Sequence, residues 1–229
     1  MKKIIIALLC LSFLLILGGC KSEDADSTAP ATPTDVATKD EVLYEDNKII
    51  GTWVCDDINK ECYFIFDEKG DAYAKWGTCT VYGYYDYYDD EKLYDIDIPN
   101  FLYNEYSATF SKDKMTLKSD EYEYTFKKAT MPKVEIKAPN NLTVDKAIVG
   151  DWQSVDNYEC YRFNEDGTAV ITDLYSDATI DCKYGCKDGK VTIYSMSSPE
   201  NLNEKELTYK ALDDGNLVLN DYTYEPVQN

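Results

Sequence analysis

The sequence predicts an all-β protein: two tandem, small, antiparallel up-and-down β-barrels that follow an apolar leader and a polar tether. Three observations predict this. Short motifs recur along the chain at a nearly constant offset. The recurring segments are rich in Tyr, Val, Ile, Thr and Phe, in short runs punctuated by turn residues. Beyond the leader, no stretch shows the periodicity of an amphipathic helix.

The leader has Lys2 and Lys3 ahead of an apolar run, Ile4 to Leu17, interrupted only by Ser12. As a helix this run would rise about 21 Å, short of the ~30 Å hydrocarbon core of a bilayer. A signal h-region fits it better than a permanent span. Leu17-Gly18-Gly19-Cys20 closes the run and resembles the lipobox of bacterial lipoproteins. That resemblance implies removal of residues 1–19 and a diacylglycerol on the Cys20 sulfur. A single acyl chain holds a protein only marginally, so a two-chain lipid suits stable anchoring. The expected location is the bacterial cell membrane, lipid-anchored and facing outside the cytoplasm, where thiols can oxidise. An ordinary cleaved signal peptide and an uncleaved anchor are the alternatives. Cys10 falls within the leader.

Residues 20–40, the lipidated cysteine and its linker, consist mainly of Ser, Asp, Ala, Thr and Pro. Such a segment cannot bury enough apolar surface to offset chain entropy, and reads as a disordered tether. The chain carries a net charge of −20; without Lys2 and Lys3 of the leader the remainder is at −22. Phosphate backbones and anionic lipid surfaces would repel it, so no nucleic-acid partner is expected. The chain has no histidine, which excludes the usual His-assisted serine and cysteine hydrolases. Only a carboxylate pair could serve a hydrolytic mechanism.

The repeats cover residues 48–128 and 147–229, with 129–146 as the connection. Gly51-Thr52-Trp53 recurs as Gly150-Asp151-Trp152, and Phe66 to Ala72 as Phe163 to Ala169. Tyr82-Gly83 is matched to Tyr184-Gly185, and Met115-Thr116-Leu117 to Leu217-Val218-Leu219. The first copy contains runs at roughly 49–55, 60–66, 71–78, 80–87, 92–98, 104–110, 114–118 and 121–127. The second contains runs at 148–154, 158–164, 168–173, 178–184, 190–195, 205–211, 216–219 and 222–227. Turns such as Asp67-Glu68-Lys69-Gly70 and Asp213-Asp214-Gly215 are short, which favours antiparallel hairpins in series. Pro132, Pro139 and Asn140-Asn141 mark the connection between copies.

Gly-x-Trp opening a meander of eight strands, with Phe-x-x-x-Gly-x-Ala at the second hairpin, resembles the small lipocalin-like domains of secreted bacterial lipoproteins. The resemblance implies that Trp53 and Trp152 pack at the closed end of a barrel. Lipocalins usually lay an arginine from the last strand over that tryptophan, and neither copy has one there. The strands are short, which suits a packed interior more than a large cavity. Fold does not imply function.

Six cysteines follow Cys20: Cys55, Cys62, Cys79, Cys160, Cys182 and Cys186. Following the meander, the thiols of each unit should gather at one rim. Structural disulfides suit an exported small domain, and Cys62–Cys79 with Cys160–Cys182 respects the repeat best; Cys55–Cys62 is the rival. Three thiols per unit without histidine do not make a zinc site, and no cofactor or metal is expected.

Tyr82, Tyr84, Tyr85, Tyr87 and Tyr88 put aromatic rings on both faces of one strand. Inward rings would fill the core, and outward ones offer a binding surface for a glycan or a partner. Asp86, Asp89, Asp90 and Glu91 form an acidic turn, without the alternation or the glycine of an EF-hand. Asp56, Asp57 and Glu61 lie at the cysteine rim. The function expected is a non-enzymatic binding module for a small apolar molecule, an envelope glycan or a protein. The alternatives are a structural or inhibitory protein with filled barrels that acts by protein contact, and a carboxylate-based hydrolase.

Overall fold

The structure, a computed structural model, describes residues 48–154 and 158–227. The signal segment with Leu17, Gly18, Gly19 and Cys20, and the tether to residue 40, lie outside the described residues. Within them there are sixteen strands and no helix. The first repeat supplies β1 (Gly51–Cys55), β2 (Asn59–Phe66), β3 (Asp71–Trp76), β4 (Cys79–Tyr88), β5 (Leu93–Ile98), β6 (Leu102–Ser111), β7 (Lys114–Lys118) and β8 (Glu123–Lys128). The second supplies β9 (Gly150–Ser154), β10 (Glu159–Phe163), β11 (Thr168–Asp173), β12 (Ala178–Lys187), β13 (Lys190–Met196), β14 (Leu202–Ala211), β15 (Leu217–Leu219) and β16 (Tyr222–Pro226).

Each strand of the first repeat pairs antiparallel with the next, and β8 returns to β1 through Trp53↔Lys128 and Val54↔Lys127. The result is a closed eight-stranded barrel. Its closure follows from the short turns, which leave each strand only its chain neighbour to pair with. Closure also removes the exposed sheet edges of the first repeat. The eight further strands pair in chain order as well, with β16 beside β9 and Tyr224 opposite Ser154.

Period-2 alternation sets the faces. Trp53, Phe64, Phe66, Tyr85, Ile96, Leu117 and Phe126 point into one buried cluster. Trp152, Tyr161, Phe163, Tyr184, Val191 and Leu219 point into a second. Equivalent tyrosines close equivalent hairpins. The Tyr85 hydroxyl donates to the Asp67 carbonyl at 2.5 Å, and that of Tyr184 to the Asn164 carbonyl at 2.7 Å. The structural counterpart of Tyr184 is therefore Tyr85, which corrects the Tyr82-Gly83 match by three residues: a two-residue motif is too short to fix register in a tyrosine-rich strand.

The repeats meet through a ladder that joins non-neighbouring strands, β4 to β12, with Val81↔Ala178 and Cys79↔Ile180. Thr78 wedges between β12 and the end of β13. Its amide donates to the Met196 carbonyl at 2.8 Å, and its hydroxyl accepts from the Met196 amide at 3.1 Å. Its carbonyl accepts from the Asp181 amide at 3.0 Å. Gly77 makes this approach possible: its φ is +54°, and a Cβ there would sit 1.9 Å from the Met196 carbonyl oxygen.

The connection between repeats lies against both of them. The Ala129 amide donates to the Thr52 carbonyl, Lys137 pairs with Glu200 at 3.2 Å, and the Cys186 amide donates to the Thr143 carbonyl at 2.7 Å. Tyr209 donates to the Asp145 carboxylate at 2.6 Å. That bond, with the Ala147 amide, holds the Asp145 carboxyl below its ordinary range.

Candidate functional site

The barrel interior of the first repeat is occupied by its own side chains. Phe64, Ile96, Met115, Leu117 and Phe126 have no exposed surface. Phe64 meets Phe126, and Phe66 meets Tyr85, edge to face at 5.4 Å in each case. Among the described residues no buried side-chain nitrogen or oxygen lacks a hydrogen-bond partner. No buried polar group there waits for a ligand. Both predicted tryptophans are buried, and each donates its indole N–H to the carbonyl four residues earlier, Ile49 or Ile148, at 2.7 Å. Over Trp53 lies the ammonium of Lys128 from the last strand, 5.3 Å from the ring. It occupies the place where the lipocalin pattern puts arginine. The equivalent position opposite Trp152 is Pro226, which has no charge to offer.

The outer surface is where chemistry concentrates. Along β4, Tyr82, Tyr84 and Tyr88 point outward and are 44–50 % exposed. Tyr85 and Tyr87 do not belong to that surface. Tyr85 is buried, and Tyr87 stacks obliquely on Tyr94 beside the core. Their parity along the strand is the opposite of the outward set, so they are removed from the candidate binding surface. Tyr103 on β6 joins the outward set at 78 % exposure. Sequence reasoning missed it, because a lone tyrosine between polar residues gives no run to notice.

Register places these residues in three rows across β4, β5 and β6. The first is Tyr84–Asp97–Tyr103, the second Asp86–Asp95–Glu105, and the third Tyr88–Leu93–Ser107. The middle row consists of three carboxylates on adjacent strands. Asp97 first, by its charge, raises the Tyr84 hydroxyl above its ordinary pKa, and Asp95 does the same for Tyr88. Both rings therefore stay neutral hydrogen-bond donors beside the acids.

The other acidic candidates build no site. Asp56 is exposed and paired with Lys127 at 2.9 Å, which holds its carboxyl below the ordinary range. Among the described residues, no group of three or more Cys, Asp or Glu side chains could hold a metal ion. A groove of about 390 Å³ runs along the outside of β9–β12, past Gln153, Cys160, Val170 and Leu174. Its charged pair, Arg162 with Asp151, is a direct ion pair within the groove.

All six cysteines are free thiols. The expected bridges are absent, for a geometric reason. Cys182 belongs to the buried cluster of the second repeat. Cys160 alternates with the inward Tyr161 and Phe163 and so faces out; the two lie on opposite sides of the sheet. Cys62 and Cys79 both face inward but are held on β2 and β4, with β3 between them. Burial pushes the Cys62 and Cys182 thiols up to about 12 and Cys79 up to about 11. They are buried side chains with suppressed nucleophilicity.

No protein-family model matches the chain, and no curated protein matches it.

Proposed function

We propose that this chain is a lipid-anchored envelope protein of two tandem, filled, lipocalin-like barrels, which acts without catalysis by contact with a protein partner. The lipobox-like Leu17-Gly18-Gly19-Cys20 supports the anchor and the extracytoplasmic location. The ladders β11–β12 and β9–β16 support reading the second repeat as a barrel of its own. One observation carries the function: tyrosines exposed on the outer face of β4–β6 stand over an interior already filled by side chains. Small-molecule pockets need concave volumes of roughly 300 Å³ or more lined by uncommitted groups, and the interior offers its groups to one another.

Native mass spectrometry of the full chain in detergent tests the filled interior. The expected mass is that of the lipidated chain alone; an extra small molecule released on denaturation overturns the reading. A benzophenone amino acid in place of Tyr103 tests the face in intact cells. It should give a discrete protein adduct that the same probe at Thr192, on the outer face of β13, does not. Equal labelling from both positions overturns the choice of face. Incorporation of labelled fatty acid should be abolished by Cys20→Ala, and its survival would sink the anchor.

A further inference from the structure

We infer that the groove on the outside of β9–β12 docks a linear segment of a partner protein, uncharged and carrying bulky apolar side chains. This surface is separate from the tyrosine face of β4–β6, and the inference stands independently of it.

The first repeat shows what covers a face of this kind. Register matches the two outer faces residue for residue. Val54, Tyr63 and Lys75 of the first repeat correspond to Gln153, Cys160 and Thr172 of the second, and Ile65 and Tyr73 to Arg162 and Val170. In the first repeat the chain leaving β8 crosses this face. The Ala129 amide donates to the Thr52 carbonyl at 2.9 Å, and Met131, Pro132 and Val134 then share a pocket wall with Tyr63 and Gly77. In the second repeat the chain leaving β16 starts on the same path. The Val227 amide donates to the carbonyl of Asp151, the counterpart of Thr52, also at 2.9 Å. Beside it the face is an open groove of about 390 Å³.

Two exchanges hollow this groove out. Cys160 and Val170 stand where the first repeat has the rings of Tyr63 and Tyr73, so the outer layer lacks the volume of two rings. The rim changes in the opposite sense. Tyr158, Leu174 and Val227 take the places of Glu61, Gly77 and Ala129, and are 68 %, 43 % and 42 % exposed. The Leu174 amide donates to the Tyr158 carbonyl at 2.8 Å, which fixes two of these residues side by side. Exposed apolar residues are ordinary one at a time; gathered around a groove they mark a contact.

The lining selects the occupant. Arg162 and Asp151 pair with each other inside the groove, so a charged guest gains no partner there. Val170, Leu174 and Val227 offer apolar surface, while Gln153, Thr172 and Thr179 offer hydrogen bonds to a main chain. The guest on the first repeat is a length of chain without secondary structure of its own, and a guest here follows the same course. A second copy does not serve. Its Met131–Val134 stretch lies on its own first repeat, and two chains at −20 repel each other.

The test titrates the full chain, in neutral phospholipid nanodiscs, against a labelled peptide in which tyrosine and leucine alternate with serine. Anisotropy reports binding, with empty nanodiscs as the blank, and the rate of Cys160 modification by a thiol reagent reports the place. Binding should change less than about twofold between ~50 and ~300 mM salt, since the contact is apolar. Bound peptide should slow Cys160 modification about tenfold or more, because a covered thiol is out of reach. A counterpart with asparagine for tyrosine and leucine should not bind. The double variant Leu174→Glu, Val227→Glu changes only exposed side chains, so it should unfold at the wild-type temperature and lose the peptide. The variant Tyr84→Ala, Tyr103→Ala should bind it as the wild type does, so the two faces fail separately. Binding that leaves Cys160 as reactive as before, or that survives the double variant, overturns the inference. Equal protection of Cys160 by p-cresol, the tyrosine side chain alone, would make the groove a small-molecule site and overturn it too. Full-chain dimers that the double variant abolishes would put a second copy in the groove and overturn the choice of partner.

Discussion

The two repeats share their buried chemistry and differ in what they show to solvent. Trp53 and Trp152 make the same indole bond, and Tyr85 and Tyr184 the same hairpin bond. Outside, the first repeat sets tyrosines around a row of carboxylates, while the second sets lysines beside glutamates. Packing constrains interior positions at close-packed density, so equivalent positions keep equivalent groups. Surface positions have no such constraint, and a single-sign, aromatic face there calls for a reason other than folding.

The inner likeness predicts the largest effects. Trp53→Ala and Trp152→Ala should each cost about 3–5 kcal/mol of stability, measured by chemical denaturation. Trp53→Ala should cost more by about 0.5–1 kcal/mol, because it also removes the surface under Lys128. Lys128→Met should erase that excess. Equal costs in both repeats would mean that the lysine over Trp53 contributes nothing measurable.

Next in size is the junction, which the repeats do not share symmetrically. Gly77 inserts its turn between β12 and β13. Gly77→Ala must displace the Met196 carbonyl and hold alanine at a positive φ, at a cost of about 2–4 kcal/mol. The expected outcome is that one cooperative unfolding transition becomes two, as Thr78 loses its bonds to Met196 and Asp181. A single transition retained in the alanine variant would show that the β4–β12 ladder and the connection from Ala129 to Asp145 couple the repeats without the Gly77 turn.

Thiol chemistry separates the repeats more gently. Cys62, Cys79 and Cys182 carry raised pKa values from burial, up to about 12, 11 and 12, against about 8.5 for an unfolded thiol. A folded-state pKa above the unfolded one gives stability that is complete below the unfolded value. That stability is lost as pH climbs through the folded one. Stability should therefore fall from about pH 8.5 upward and continue falling to about pH 12. At neutral pH a thiol reagent should label Cys160 first among the six described cysteines, since among them it alone faces outward on its strand. Labelling of Cys62 or Cys79 ahead of Cys160 would contradict the face assignments.

Much of this architecture was legible because its determinants are local. Turn residues such as Asp67 to Gly70 and the alternation Phe64-x-Phe66 report on their own neighbourhood, and all sixteen strands fall where they direct. The fate of the Cys160–Cys182 pair turned on one residue. Relative to the hairpin phenylalanines, Cys62 is an even step from Phe66 and Cys160 an odd step from Phe163, and a one-residue shift in a strand exchanges faces. The same parity removes Tyr85 and Tyr87 from the outer surface. The β4–β12 ladder was not legible, since no local pattern states that strands eight elements apart will pair. Nor were the acidic rows, because Asp86, Asp95 and Glu105 become neighbours only through register.

The smallest effect bears most directly on the outer contrast. Asp95 has a carboxylate opposite it on each side, Asp86 and Glu105. Asp95→Asn keeps its shape and removes both like-charge oppositions, so it should stabilise the protein by about 0.5 kcal/mol. Thr192, at the equivalent place, faces Gly185 and Glu206; Thr192→Asp creates one like-charge opposition rather than two, against a Glu206 already paired with Lys190, and should destabilise by less. The gain should shrink at high salt, where exposed charges are screened. A stabilised Asp95→Asn would show that the wild-type face falls short of its own stability optimum, as sites kept for function rather than for folding do. An unchanged or less stable variant would mean that the row is already neutralised within the molecule.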